Sequence, residues 1–108
     1  MTVVGRTAGI TDEMIADQFR WYEPNRVILF GSHARGEAAA DIDVVLIKET
    51  QDRFLDRLKH VYERWSLPVA VDILVYTPAE WDRMVAEERG FVLRVLQEGR
   101  EIHVRPIR

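Results

Sequence analysis

Residues 26–47 read RVILFGSHARGEAAADIDVVLI. They carry the main signal for the fold, because two apolar segments lie on either side of a short connection. RVILF, residues 26–30, is a bulky apolar run that ends at a glycine and predicts a buried strand. Asp41 to Lys48 predicts a second strand, and Ser32 to Gly36 predicts a helical turn or short helix between the two. A connection this short favours antiparallel pairing of the two strands.

Signals for further elements follow this pair. Val69 to Tyr76 predicts a third strand. The apolar positions of residues 51–65 recur at helical spacing and predict an amphipathic helix. This helix makes a long crossover, which favours parallel pairing of the second and third strands. Thr77 as a cap, Pro78 in the first turn and Glu80 in the capping-box position then predict the start of another helix.

The outer parts of the chain complete the pattern. A helix begins after Thr11, with acids in its first turn, and ends before Pro24. The helix that follows the third strand runs to about Arg89, and another helical piece covers residues 91–97. Residues 102–104 predict a short edge strand.

This order of elements predicts an α/β (α+β) fold, in which helices pack on a small mixed β-sheet of three or four strands. The 108 residues suit a single domain, residues 1–108, with a core from about residue 12 to residue 104. A chain of this size buries only about two-thirds of its unfolded surface, so a homo- or hetero-oligomer would cover more apolar area.

Composition limits the classes of function. The chain is 47% hydrophobic and 31% charged, which is typical neither of disorder nor of a membrane protein. It has no cysteine, which excludes disulfides and thiolate metal sites. No apolar run approaches the roughly 20 residues that span a bilayer, and residues 1–10 lack a signal-peptide core, so a cytoplasmic location is expected. The formal net charge of -3 disfavours a nucleic-acid partner.

Asp41 and Asp43 form the first candidate site. Side chains two apart on a strand point to the same face, and their α-carbons are roughly 6.5 Å apart. Two carboxylates at that separation repel by roughly 2 kcal/mol at an effective dielectric of 20. Mg²⁺ would offset this charge, since it takes one or two carboxylates together with phosphate oxygens and water. The alternative is that both acids start a strand in water or pair with Arg35.

Two further features are candidates for a site together with these acids. Gly31 and Ser32 follow a strand and precede a helical turn, so free N–H groups and a hydroxyl form a candidate anion site. The alternative is an ordinary serine cap after a glycine turn. Asp72 lies in the apolar run VAVDILVY, and a buried aspartate is costly unless it is paired or binds a metal. An ion pair with an arginine or exposure at a strand edge would also explain Asp72.

Taken together, these motifs resemble the minimal nucleotidyltransferase (MNT) family of the DNA polymerase beta superfamily. GSHARG at residues 31–36 resembles its glycine-serine signature, and DIDVVLI at residues 41–47 resembles its strand with two acids. VDILVY at residues 71–76 resembles its third-acid strand, and FVLRVLQEGREIHV resembles its closing helix. The resemblance implies a nucleotidyltransferase fold and transfer of a nucleoside monophosphate from ATP or another NTP to a hydroxyl.

The resemblance also implies a role for each candidate residue. Gly31–Ser32 would hold the terminal phosphates, and Arg35 would brace this loop, touch a phosphate or pair with a nearby acid. Asp41 and Asp43 would ligate Mg²⁺. Asp72 would ligate a second ion and accept the proton of the attacking hydroxyl.

Single-domain MNT proteins resemble the antitoxins of HEPN/MNT toxin–antitoxin pairs. The resemblance implies that the partner is a helical HEPN ribonuclease and that the transferred group is AMP, received by a hydroxyl of the partner. Three tryptophans, Trp21, Trp65 and Trp81, are candidates for partner contact because aromatic residues are enriched at interfaces. Core packing is the alternative, especially for Trp65.

A second interpretation is a catalytically weak or inactive MNT-fold module that neutralises its partner by contact alone. The connection from Ser32 to Asp41 is shorter than is usual in the family, and Ala38 to Ala40 replace a proline- or serine-containing loop. Misplacement by an ångström can cost about 100-fold in rate. The three intact acids favour the enzyme, whereas the short connection favours the binding module.

Overall fold

The computed structural model describes residues 7–107, and the elements within this range alternate in the predicted order. Their bounds in chain order are α1 Asp12–Phe19, β1 Arg26–Phe30, α2 Gly31–Ala34, β2 Asp41–Ile47, α3 Phe54–Glu63, β3 Ala70–Tyr76, α4 Pro78–Ala86, α5 Gly90–Glu98 and β4 Arg100–Ile102, with a 3-10 turn at Arg20–Tyr22. Across residues 7–107 no helix is long and apolar enough to cross a membrane. The expectation about a signal peptide falls mostly on residues 1–6, outside the described range.

The four strands form one mixed sheet with the order β3-β2-β1-β4. Strand β1 pairs antiparallel with β2 and with β4, and β2 pairs parallel with β3. Both predicted pairings are therefore confirmed, and so is the mixed sheet with packed helices. The edge strand β4 begins at Arg100, two residues earlier than expected, because Gly99 ends α5 with extended backbone angles.

Helices cover both faces of the sheet. Ile15 and Phe19 of α1 and Val61 of α3 belong to the core on one face. Trp81 of α4 and Val95 of α5 belong to the core on the other face. The central strand β2 is buried between these two layers, which explains its nearly continuous apolar sequence.

Helix α3 is shorter than predicted, and its apolar stripe is only partly buried. It spans Phe54–Glu63 rather than residues 51–65, and Leu55 is 75% exposed. Arg57 is buried instead, and its guanidinium contacts Glu80 at 2.7 Å. The predicted amphipathic helix is confirmed, but it lies against the edge strand β3, where part of its apolar stripe stays exposed.

Three side chains at α3 and just after it hydrogen-bond to the outer backbone of β3 and the residue before it. Arg57, Tyr62 and Trp65 provide these contacts. Their backbone partners are the carbonyl of Val75 at 3.3 Å, the N–H of Ile73 at 2.7 Å and the carbonyl of Val69 at 2.9 Å. Because an edge strand exposes unpaired backbone groups, these side chains occupy positions that another strand would otherwise take.

The three tryptophans have different surroundings. Trp81 is only 2% exposed and lies in the core, so its prediction as a partner contact is wrong. Its position in α4, directly above the sheet, is the reason. Trp65 packs on Phe19 with ring centroids 5.9 Å apart, as its core interpretation predicted. Trp21 is partly buried beside the same core, and its role in partner contact stays a prediction.

Candidate active site

Three aspartates meet at the amino-terminal ends of β2 and β3. Asp41 and Asp43 lie two apart on β2 and share one face of the sheet. Asp72 is the direct neighbour of Asp43 across the parallel pair of strands. One carboxylate oxygen from each of the three lies within 4.8 Å of the other two. The strand register therefore produces the expected convergence, whereas the catalytic and metal-binding roles of these residues stay predictions.

The burial of the three acids differs from the expectation in one respect. Asp41 and Asp43 are partly buried, but Asp72 is exposed. The expectation of a buried Asp72 is wrong because β3 is an edge strand, and Ala70 and Asp72 lie at its open end. Exposure at a strand edge, one of the alternatives, is thus what the structure shows. Of the three aspartates, Asp72 is the most accessible to another molecule.

The pKa of Asp43 reflects both its burial and the charges of its two acidic neighbours. Burial, followed by the charges of Asp41 and Asp72, raises the pKa of Asp43 to about 6 from an ordinary 3.8. Within residues 7–107, none of the ion pairs includes one of the three acids. The alternative pairing with Arg35 is therefore not observed. The cluster combines excess negative charge with converging oxygen donors, which fits a hard divalent cation.

Gly31 brings the start of α2 against this cluster. Its φ of +75° lies in the left-handed region, and a β-carbon at this position would overlap the carboxylate of Asp43. Only glycine satisfies both conditions without strain. Absence of a side chain was predicted to admit a phosphate. The structure adds that the same absence makes room for Asp43.

Ser32 does not act as the ordinary helix cap that was considered for it. The residue before α2 is Phe30, and among residues 7–107 no side chain caps this helix. Instead, the Ser32 hydroxyl oxygen lies 3.2 Å from Arg35 Nη2 and accepts its hydrogen bond. The first N–H groups of a helix have no partner within it. These N–H groups of α2 and the Ser32 hydroxyl therefore remain a candidate phosphate site.

Arg35 contacts two residues close to it in the sequence, Ser32 and Glu37, and one distant residue. Its Nε atom donates to Glu37, and its Nη2 atom braces Ser32, as two of the interpretations proposed. Its Nη1 atom also donates to Glu98 Oε2 at 3.0 Å. Glu98 was not among the candidate site residues, because it lies 63 positions from Arg35 in the sequence. The only signal was its place in the closing segment that resembles the family.

The short connection between α2 and β2 is held from a distant part of the chain. The N–H of Thr7 donates to the carbonyl of Ala39 at 3.2 Å, and both residues are buried. At the other side of α2, Arg100 donates to the carbonyl of Ala34 at 3.2 Å and pairs with Asp12. With this short connection, the start of α2 still lies against the carboxylate of Asp43.

Comparison with known proteins identifies the family of this chain. The family model described as "Nucleotidyltransferase domain" matches residues 13–103. The match covers most of the chain, which therefore belongs to the nucleotidyltransferase domain family. This confirms the resemblance of the motifs to nucleotidyltransferases, and nucleotidyl transfer is the class of reaction. No curated protein and no solved structure gives a significant match.

Proposed function

We propose that this protein transfers a nucleoside monophosphate, AMP from ATP, to a hydroxyl of a partner protein in a Mg²⁺-dependent reaction. The observation that carries the proposal is the convergence of three carboxylate oxygens within 4.8 Å, directly beside the glycine that opens α2. Family membership provides the class of reaction. Family membership does not identify the metal, the nucleotide or the acceptor, and these three are proposed here.

Each residue of the site has a distinct part in this proposal. Asp41 and Asp43 would hold Mg²⁺, and Asp72 would complete the site for a second ion. The bound metal would supply positive charge to the phosphate oxygens during the in-line displacement. Gly31 and Ser32 would receive the terminal phosphates through backbone N–H groups and the hydroxyl.

Asp72 is the proposed proton acceptor for the attacking hydroxyl. A general base must lie within hydrogen-bond reach of the proton that it removes. Asp72 is exposed at the open end of an edge strand, so a hydroxyl on the surface of another macromolecule has direct access to it. This accessibility supports a protein acceptor over a small molecule enclosed in a pocket.

The proposed partner is the HEPN-type helical protein of a toxin–antitoxin pair, with this chain as the antitoxin. The resemblance of the motifs to single-domain MNT antitoxins supports this partner. Neutralisation by contact alone is the competing function, and the short connection before β2 was its main support. Since the acids still converge beside Gly31, the geometry favours the enzyme.

Label transfer to the partner tests the proposal. The protein would be incubated with Mg²⁺, the product of the adjacent gene and each of the four NTPs, labelled at the α-phosphate. We expect label from ATP to appear on the partner, and to disappear with EDTA or with the double substitution Asp41→Asn and Asp43→Asn. Asp56→Asn is the matched control, because it removes an exposed acid from α3 and should leave labelling unchanged.

Two outcomes would contradict the enzyme proposal. Tight association without label transfer from any NTP would support the binding module instead. Labelling that survives loss of both aspartates would show that the acidic cluster does not support the reaction.

A further inference from the structure

The Arg35 guanidinium links three parts of the chain around the Ser32 hydroxyl. Nη2 lies 3.2 Å from Ser32 Oγ, and Nη1 lies 3.0 Å from Oε2 of Glu98, the last residue of α5. Nε donates to both carboxylate oxygens of Glu37, at 3.2 and 3.1 Å. One planar group therefore connects α2, the following loop and the end of α5.

The direction of the bond to Ser32 decides what its hydroxyl can still do. A guanidinium only donates hydrogen bonds, whereas a hydroxyl has one donor and two acceptor positions. Ser32 Oγ therefore accepts from Arg35, and its own proton stays available. Among the described residues, Arg35 is the one side chain bonded to this hydroxyl. The Ser32 hydroxyl is thus oriented as a donor, as a phosphate oxygen requires.

The charges around Arg35 make it a poor direct ligand for phosphate. Two carboxylates, those of Glu37 and Glu98, already contact the single guanidinium. Their two negative charges outweigh the single positive charge of the guanidinium, which weakens its attraction for a phosphate. Arg35 is better suited to holding Ser32 than to binding the nucleotide itself.

We propose that Glu98 is a positioning residue for the terminal phosphates and acts through Arg35 and Ser32. Glu37 lies two residues from Arg35 on the same segment, so it does not tie the guanidinium to another part of the fold. Glu98 instead ends α5, which is anchored in the core by Val92 and Val95. Glu98 therefore fixes the guanidinium relative to the sheet that carries the aspartates. This inference rests on the proposed function, because it takes Ser32 as a phosphate ligand.

A double-mutant cycle tests the inference with inorganic tripolyphosphate and Mg²⁺ as the probe, so that the identity of the base does not matter. Isothermal titration calorimetry would measure Kd for wild type, Glu98→Gln, Ser32→Ala and the double variant. We expect Glu98→Gln to raise Kd about fivefold, because the neutral amide holds the Arg35 guanidinium more weakly than the carboxylate does. In the Ser32→Ala background, Glu98→Gln should change Kd no further.

The control is Glu101→Gln, which removes the exposed ion pair of Glu101 with Arg26 at 2.8 Å, three residues beyond Glu98. It should leave Kd unchanged, and circular dichroism would confirm that each variant is folded. If Glu98→Gln fails to fold, Arg35→Lys tests the same link, because lysine lacks the planar fork that spans these partners. Arg35→Lys should likewise have no further effect once Ser32 is alanine.

Several outcomes would overturn the inference. Independent effects of Glu98→Gln and Ser32→Ala, multiplying in the double variant, would show that Glu98 does not act through Ser32. An unchanged Kd for Glu98→Gln would overturn the inference while leaving the proposed function in place. Failure of the wild type to bind the probe would overturn both.

Discussion

At the scale of single residues, Gly31 connects backbone conformation with the chemistry of the site. Its positive φ starts α2 immediately after β1, and its missing side chain leaves space for the Asp43 carboxylate. Gly36, at the other end of the same turn, also has a positive φ, but a β-carbon there would meet nothing within 4 Å. The two glycines therefore separate the cost of backbone strain from the cost of steric overlap.

Replacing Gly31 with alanine should damage both stability and transfer. The left-handed backbone conformation alone costs about 1 kcal/mol for alanine, and the overlap adds to this by displacing Asp43. We expect a loss of the order of 100-fold in the rate of label transfer, as for comparable misplacements in other sites. Urea denaturation and the labelling assay would measure the two effects.

Gly36→Ala is the matched control for this prediction. It should lower the free energy of unfolding by the backbone cost alone and leave most of the transfer activity. Equal losses of activity in the two variants would show that close approach to Asp43 is not what requires glycine at position 31.

At the scale of elements, α3 explains how the sheet can end at β3. Tyr62 of α3 binds the outward N–H of Ile73 at 2.7 Å, and Arg57 binds the carbonyl of Val75. These bonds occupy the backbone groups that would otherwise attract another strand. They also lie on the strand that carries Asp72, so α3 supports the position of the third acid.

Tyr62→Phe should destabilise the protein by about 1 kcal/mol, because it leaves the N–H of Ile73 without its partner. The free energy of unfolding in urea would measure this loss. Tyr76→Phe is the matched control, since none of the described side chains or backbone groups bonds to its hydroxyl. Equal stability of the Tyr62→Phe variant and the wild type would show that solvent replaces the tyrosine at no cost.

At the scale of the whole molecule, the acidic cluster links global stability to pH and to metal. The pKa of Asp43 is about 6 in the folded protein, against 3.8 ordinarily. The folded state therefore holds this proton more tightly than the unfolded state does. Stability should fall as pH rises from about 4 to about 6, and the cost should persist above pH 6.

Measurement of the free energy of unfolding from pH 4 to pH 8 in EDTA would test this dependence. Wild type should lose stability relative to Asp43→Asn as pH rises through this window, because only wild type must ionise the Asp43 carboxyl, whose pKa is raised in the folded state. At pH 8, Mg²⁺ at about ten times its Kd should restore about 1.4 kcal/mol to the wild type. It should restore less to Asp43→Asn, which lacks one proposed ligand.

Asp82→Asn serves as a control for the loss of one negative charge, since it removes an exposed acid from α4. Its stability should respond to Mg²⁺ as the wild type does. Parallel pH profiles for wild type and Asp43→Asn would contradict the proposed repulsion within the cluster.

Much of the fold follows from local sequence patterns. Apolar runs and helical stripes identify the element types because side-chain direction repeats every two residues on a strand and about every 3.6 in a helix. The lengths of the connections then fix both strand pairings, since a short link permits only an antiparallel return. With the pairings fixed, the register of β2 and β3 decides whether the three aspartates approach one another. The observed register pairs Asp43 with Asp72 and so brings them together.

The remaining features depend on contacts between residues far apart in the chain. Sequence alone determined the elements, their pairing and the candidate acids. Three features emerge only in the folded chain: Asp72 is exposed, Trp81 is buried and Glu98 holds Arg35. The physical reason is that exposure depends on which strand lies at the edge of the sheet and on which helix covers each face. Neither property is encoded within a few residues of the side chain concerned.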